Sequence, residues 1–167
     1  MITIVGAGPA GSYLAYLLAK KGKDVYIIEE HNKVGSPVQC TGIVTGSIKK
    51  FVNLPREVIA NKCSKVAVIS KNNSIEAETE EIVMWRNKFD EFLANMAVDA
   101  GAKVLTNHQF VSFNVKNSLE QGSVSTPLTI KIKNKNNNEM KDIESEIIVG
   151  ADGPSSAVAK ASGLDAA

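Results

Sequence analysis

Three glycines near the start of this chain are the residues whose spacing most clearly points to a chemistry. Gly6, Gly8 and Gly11 form a G-x-G-x-x-G pattern that directly follows the apolar run I-T-I-V. The pattern predicts a tight turn at Gly6, close approach of backbone amides to a pyrophosphate at Gly8, and close helix–strand packing at Gly11. Pro9 and Ala10 complete the turn. A phosphate would lie on the helix N-terminus, where unpaired N–H groups and the dipole favour an anion.

An acidic residue follows the glycines at the spacing of a dinucleotide site. Glu29 ends a second apolar run over residues 24–28. A carboxylate about 20 residues beyond such glycines is placed to accept hydrogen bonds from ribose hydroxyls. It would also repel a 2′-phosphate, which disfavours NADP at this site. The alternative is a surface glutamate at a strand end, but the order strand, glycines, helix, strand and acid favours the dinucleotide interpretation.

The elements that must position these residues follow from the apolar patterning. Strands over 2–5 and 24–28 flank a helix over 12–21, which makes a βαβ unit. The rest of the pattern predicts a loop over 31–47, a short helix over 47–52, a hairpin of 64–70 and 74–80 with a third strand over 81–85, a helix over 86–100, strands over 104–106, 110–115 and 128–133, a turn over 134–139, a strand over 146–149 and a helix over 157–162. The expected fold is α/β: one domain over residues 1–167, a Rossmann-like parallel sheet with antiparallel β insertions.

Composition limits the classes of function. The net charge is +1, with 44% hydrophobic and 22% charged residues, which is ordinary for a soluble globular protein and gives no reason to expect a nucleic-acid partner. The early first strand and the lack of a long apolar run favour a cytoplasmic protein, with peripheral membrane contact left open. Cys40 and Cys63 are too few and too far apart for a disulfide framework, and no metal site is expected. His31 and His108 are interpreted as solvated surface residues.

Three separated motifs resemble those of FAD-binding oxidoreductases of the p-hydroxybenzoate hydroxylase type. The first is the glycine turn with Glu29. The second is R-x-x-F-D-x-x-L, in which Arg86 opens a helix, and the third is V-G-A-D-G-x-x-S-x-V over residues 149–158. The resemblance implies FAD as the cofactor and Arg86 as a donor to its phosphate and ribose oxygens. The alternative for Arg86 is a surface residue at a helix start.

The same resemblance implies further cofactor contacts in the second half of the chain. Asp152 and Gly153 would lie near the ribityl and pyrophosphate groups, at the carboxyl end of a strand. The alternative for Asp152 is an ordinary residue of an Asp-Gly turn. The backbone at Phe110 would pass the adenine, while its side chain is expected in the core.

The loop P-V-Q-C-T-G over residues 37–42 is similar to the P-x-x-C-x-G motif of archaeal and plant geranylgeranyl reductases, including the archaeal digeranylgeranylglycerophospholipid reductases. The resemblance implies that Cys40 is catalytic and faces the flavin ring or the substrate alkene. It also implies that Cys40, Thr41, Gly42 and Ile43 contact FAD. The alternative is that Cys40 is a small buried apolar residue.

The implied activity is FAD-dependent hydrogenation of isoprenoid C=C bonds in membrane-lipid precursors, with an external electron donor that is either NAD(P)H or ferredoxin-like. Related enzymes continue beyond the length of this chain with a late Gly-Asp-Ala motif and a substrate-binding sheet. The chain is therefore expected to be an amino-terminal FAD-binding portion whose substrate domain is absent or incomplete. Two alternatives stay open, namely an aromatic monooxygenase of the same fold and a non-catalytic nucleotide-binding module.

Overall fold

The computed structural model describes residues 1–115 and 127–164. They form two compact units, of which the first combines Met1–Pro37 with Asp90–Ala167 and the second is Val38–Phe89. The strands are β1 (Ile2–Val5), β2 (Val25–Ile28), β3 (Ile43–Thr45), β4 (Ile59–Ile69), β5 (Ser74–Met84), β6 (Lys103–Leu105), β7 (His108–Val115), β8 (Leu128–Asn134), β9 (Met140–Ser145) and β10 (Ile147–Gly150). The α-helices are α1 (Pro9–Lys20), α2 (Arg86–Asp99) and α3 (Ala157–Ala161), and Gly46–Lys50 and Arg56–Val58 are 3₁₀ helices.

The first unit is built on a parallel sheet with strand order β10-β1-β2-β6. Its central strands are mainly apolar on both faces because both faces are covered, and the polar Thr3 of β1 is also fully buried. One face packs on α1 in a cluster that contains Ile4, Ile27 and Ala15. The other face carries Val5 and Ile28. Since the strands are parallel, their carboxyl ends meet at one edge, and the turns after β1, β2 and β10 lie there.

An antiparallel sheet of order β7-β8-β9 belongs to the same unit. The predicted pairing of residues 110–115 with 128–133 is confirmed. The third strand, β9, was not expected from the sequence. Among the described strands it pairs with β8 alone, and three of its six residues are both exposed and polar, so it carries no apolar alternation. The Rossmann-like parallel sheet with antiparallel insertions is confirmed as the fold class.

The second unit contains a three-stranded antiparallel sheet of order β3-β5-β4. The expected hairpin is present, but its strands are longer than predicted, with 11 residues each. The prediction of a separate third strand over 81–85 is wrong, because residues 81–84 continue β5. The pairing of β4 with β5 is irregular between Cys63 and Lys65, opposite the expected break. The third strand is instead β3, which lies inside the predicted loop.

None of the helices in the two described stretches is both long enough and apolar enough to cross a membrane.

Candidate functional site

The glycine turn after β1 is closely packed at two of its three glycines. Gly6 has φ of 100°, and a Cβ there would lie 2.4 Å from the carbonyl oxygen of Ala151. A Cβ at Gly11 would lie 2.0 Å from the carbonyl oxygen of Gly6. Both distances are far inside van der Waals contact, so only glycine fits. The tight turn at Gly6 and the close helix packing at Gly11 are therefore both present, as the spacing of the glycines predicts.

Gly8 differs from Gly6 and Gly11 because the fold does not require glycine at this position. Its backbone is extended, at φ −67° and ψ 179°, which any residue adopts. A Cβ there would meet no described heavy atom within 4 Å. The open space lies at the start of α1, a helix for which Gly8 is the N-cap and which no described side chain caps. A helix has unpaired N–H groups in its first turn, so this space can accept an anion.

The carboxylate of Glu29 faces this turn. Glu29 follows β2 and is only 9% exposed. Its Oε2 accepts a hydrogen bond from the N–H of Ala7 at 2.9 Å. Its Oε1 accepts one from the N–H of His31 at 2.9 Å and lies 2.7 Å from His31 Nδ1. The glycine turn and the acid predicted to serve one site are therefore directly bonded to each other.

Both histidines are partly exposed, and each also has a partner within the chain. His31 pairs with Glu29, and His108 places Nδ1 2.7 Å from the carbonyl oxygen of Thr106. No strand period links His31 to Glu29, because Glu30 and His31 lie in a bend after β2. His31 is the site residue that the sequence reasoning missed.

A second glycine turn follows β10, and its acid is used within the chain. Asp152 Oδ1 accepts a hydrogen bond from the Ser156 hydroxyl at 2.6 Å. Its Oδ2 accepts from the N–H groups of Ala157 and Val158 at 2.7 and 3.1 Å. The carboxylate thus caps α3. Gly153, at φ 81°, completes the turn.

Phe110 lies in the core of the first unit. Its side chain is 6% exposed and clusters with Val5, Ile130 and Ile132, as the sequence predicts. A contact between its backbone and an adenine stays a prediction.

The second unit holds Cys40, Thr41, Gly42 and Arg86 together. The thiol of Cys40 is exposed, so the alternative of a buried apolar cysteine is wrong. A hydrogen bond from the backbone of Gly42 lowers the pKa of Cys40, and the charge of Arg86 lowers it further.

Gly42 has φ of 77°, and a Cβ there would lie 2.5 Å from the carbonyl oxygen of Met84 and 2.9 Å from Cγ of Arg86. Glycine therefore lets the loop lie against Arg86. Ile43 begins β3 with an exposed side chain.

The fold and the glycine turn define a dinucleotide-binding α/β protein. The chain belongs to the FAD binding domain family, whose model matches residues 1–167. FAD is therefore its cofactor. The open space at Gly8, the uncapped start of α1 and the nearby carboxylate of Glu29 fit the pyrophosphate and ribose of that group.

Three known proteins are similar over nearly the whole chain. The digeranylgeranylglycerophospholipid reductase of Methanosarcina acetivorans is 30% identical over 98% of this chain and 40% of its own length. A Methanosarcina barkeri protein named "Uncharacterized protein in nifH2 5'region" is 29% identical over 98% of this chain and 87% of its own length. The structure of a geranylgeranyl bacteriochlorophyll reductase-like protein from Thermoplasma acidophilum has a TM-score of 0.85 and 28% identity, over 98% of this chain and 42% of that one. The chain thus spans about 40% of the length of the named reductases, and the resemblance to this reductase family is confirmed.

Proposed function

We propose that this chain supplies the FAD-binding portion of a reductase that hydrogenates isoprenoid C=C bonds in membrane-lipid precursors. The observation that carries the proposal is the similarity over 98% of the chain to proteins named for that chemistry, at 30% and 28% identity. The proposal includes an external donor, either NAD(P)H or ferredoxin-like. It also includes a cytoplasmic location with peripheral contact to the membrane that holds the substrate.

The glycine turn is proposed to hold the diphosphate. The amides of Ala10 and Gly11, in the uncapped first turn of α1, would donate to it across the open space at Gly8. Glu29 would accept a hydrogen bond from the adjoining ribose. Asp152 and Gly153 would contribute through the backbone of their turn, since the Asp152 carboxylate already accepts three hydrogen bonds. Reduced FAD, when bound, supplies a hydride to one carbon of the alkene.

Cys40 is proposed to donate the proton that the other alkene carbon needs. Its thiol is exposed, and a hydrogen bond from Gly42 together with the charge of Arg86 lowers its pKa. The same groups would stabilise the thiolate that remains after proton transfer. Thr41, which also lowers the pKa of Cys40, would support that state. Contacts of Arg86, Thr41 and Ile43 with FAD belong to this proposal.

The test is an anaerobic assay of an FAD-loaded chimera in which this chain replaces the matching 40% of the Methanosarcina acetivorans digeranylgeranylglycerophospholipid reductase. The flavin is reduced with dithionite, a geranylgeranyl glycerophospholipid in detergent is added, and flavin reoxidation and product mass are followed. The expected product gains two hydrogen atoms per reduced double bond. C40A is expected to bind FAD normally and to reduce the alkene at least about a hundredfold more slowly, a typical loss for a proton donor. Flavin binding without any mass gain would contradict the reductase assignment, and oxygen-dependent hydroxylation of a phenol would replace it with the monooxygenase alternative.

A further inference from the structure

The chain's own donors already occupy most of the Glu29 carboxylate. An ionised carboxylate has about four lone-pair positions on its two oxygens. His31 reaches Oε1 twice, through its N–H at 2.9 Å and through Nδ1 at 2.7 Å. Ala7 reaches Oε2 once, through its N–H at 2.9 Å. Within the described part of the chain, these contacts fill both positions of Oε1 and one position of Oε2.

This pairing is fixed in place by the backbone around it. The N–H of Glu29 donates to Leu105 and its carbonyl oxygen accepts from His108, both at 2.9 Å. The carbonyl oxygen of His31 accepts from Asn107, also at 2.9 Å. The side chains of His31 and Glu29 are 35% and 11% exposed, so a partly exposed imidazole lies against a nearly buried carboxylate. Nδ1 can donate to the carboxylate in the Nδ1–H tautomer and in the cation.

We propose that His31 is a positioning residue that limits Glu29 to a single ribose hydroxyl. A carboxylate with both oxygens open can accept from both hydroxyls of a ribose diol. With Oε1 filled by His31, one position remains, on the oxygen that Ala7 anchors to the glycine turn. The site therefore recognises one hydroxyl of the FAD adenosine and is indifferent to the other. This inference rests on the proposed contact between Glu29 and the ribose.

The experiment compares three nucleotides that differ in one hydroxyl each. ADP, 2′-deoxy-ADP and 3′-deoxy-ADP are titrated into the 167-residue chain by calorimetry. The wild type is expected to bind one deoxy analogue about tenfold more weakly than ADP, as for one lost hydrogen bond to a charged group. The other analogue should bind within about twofold of ADP, because its missing hydroxyl has no acceptor position on Glu29.

The variant H31A is expected to discriminate against both analogues, each by about fivefold or more, because a position on Oε1 becomes free for the second hydroxyl. H31F, which keeps a ring and lacks the donor, gives the same expectation if alanine impairs folding. H31N should restore the wild-type pattern, since the Asn amide nitrogen corresponds in position to Nδ1. H108A is the matched control, because His108 also pairs through Nδ1 but contacts Glu29 only through its backbone.

The readout is the ratio of affinities within each variant, so a general loss of stability cancels. Equal penalties for both analogues in the wild type would overturn the inference. An unchanged single penalty in both H31A and H31F would also overturn it. If the wild type binds neither ADP in the calorimeter nor FAD in a separate flavin titration, the proposed nucleotide site is absent. That result removes the inference together with the proposed function, whereas equal penalties for the two analogues remove the inference alone.

Discussion

The two glycine turns of the first unit share a design and differ in what occupies them. Each follows one of two adjacent parallel strands, β1 or β10, and each leads into a helix. At the first turn no described side chain caps α1, and the space beside Gly8 is open. At the second turn the carboxylate of Asp152 already accepts from the first N–H groups of α3. The first turn can hold an external anion, whereas the second holds an anion of the chain itself.

The difference shows what turns a strand–turn–helix motif into a ligand site. A helix N-terminus favours any anion, whether it is a phosphate or a side-chain carboxylate. Asp152 therefore satisfies the same kind of N–H groups that a diphosphate would. Ser156 adds to the cap, since its hydroxyl donates to Asp152 and accepts from the N–H of Ala159. A glycine pattern alone does not distinguish a turn that can bind an external anion from a turn that binds a carboxylate of the chain. The position of the nearest acidic side chain decides between them.

The largest effect is expected at Gly11, which tests whether the first turn needs its close packing. In G11A the new methyl group would lie 2.0 Å from the Gly6 carbonyl oxygen, which belongs to the backbone and cannot move freely. The free energy of unfolding should fall by about 3 kcal/mol or more. Chemical denaturation followed by circular dichroism measures it. A loss below about 1 kcal/mol would show that the turn relaxes easily.

G8A separates cofactor binding from folding in the same turn. The new methyl group meets no described atom within 4 Å, so the free energy of unfolding should stay within about 0.5 kcal/mol of the wild type. FAD affinity should fall by about tenfold or more, because the methyl group fills the space in front of the helix N-terminus. Quenching of flavin fluorescence measures the affinity. Unchanged FAD binding would place the anion elsewhere.

D152A tests the second turn, where the anion is internal. Loss of the cap should lower the free energy of unfolding by about 1–2 kcal/mol. FAD affinity should change less than in G8A, because the carboxylate serves α3. The two variants are compared by denaturation and flavin titration side by side. A stronger effect of D152A than of G8A on FAD affinity would reverse the assignment of the two turns.

The smallest effect is expected in the second unit, where a hydrogen bond from the backbone of Gly42 stabilises the thiolate of Cys40. The pKa of Cys40 is lowered first by Gly42 and then by Arg86. R86Q removes the second influence, so the pKa rises and less thiolate is present at a pH below it. Iodoacetamide should therefore alkylate Cys40 about threefold more slowly near neutral pH. R56Q, at an exposed arginine of the same unit, is the control and should leave the rate unchanged.

The predictable parts of this fold are those with strong local signals. Apolar runs mark β1 and β2 because both strands are buried on both faces. Glycines mark the start of α1 because the chain turns sharply there. β3 has three residues and β9 is mostly exposed, so neither has a period to detect. The partners of His31 and Asp152 were also beyond the sequence. A residue type states what a side chain can bind, but the turn geometry decides which donors reach it.

The pairing of β1 with β10 joins two strands that are far apart in the sequence. Ile2 lies opposite Ile147, and the N–H of Ala151 donates to the carbonyl oxygen of Val5 at 2.8 Å. The first turn therefore lacks the backbone against which Gly6 packs until the ribosome has released residue 151. Such non-local contacts slow folding. β1 and the glycine turn thus reach their final structure only after β10 has been synthesised, and the cofactor site forms late.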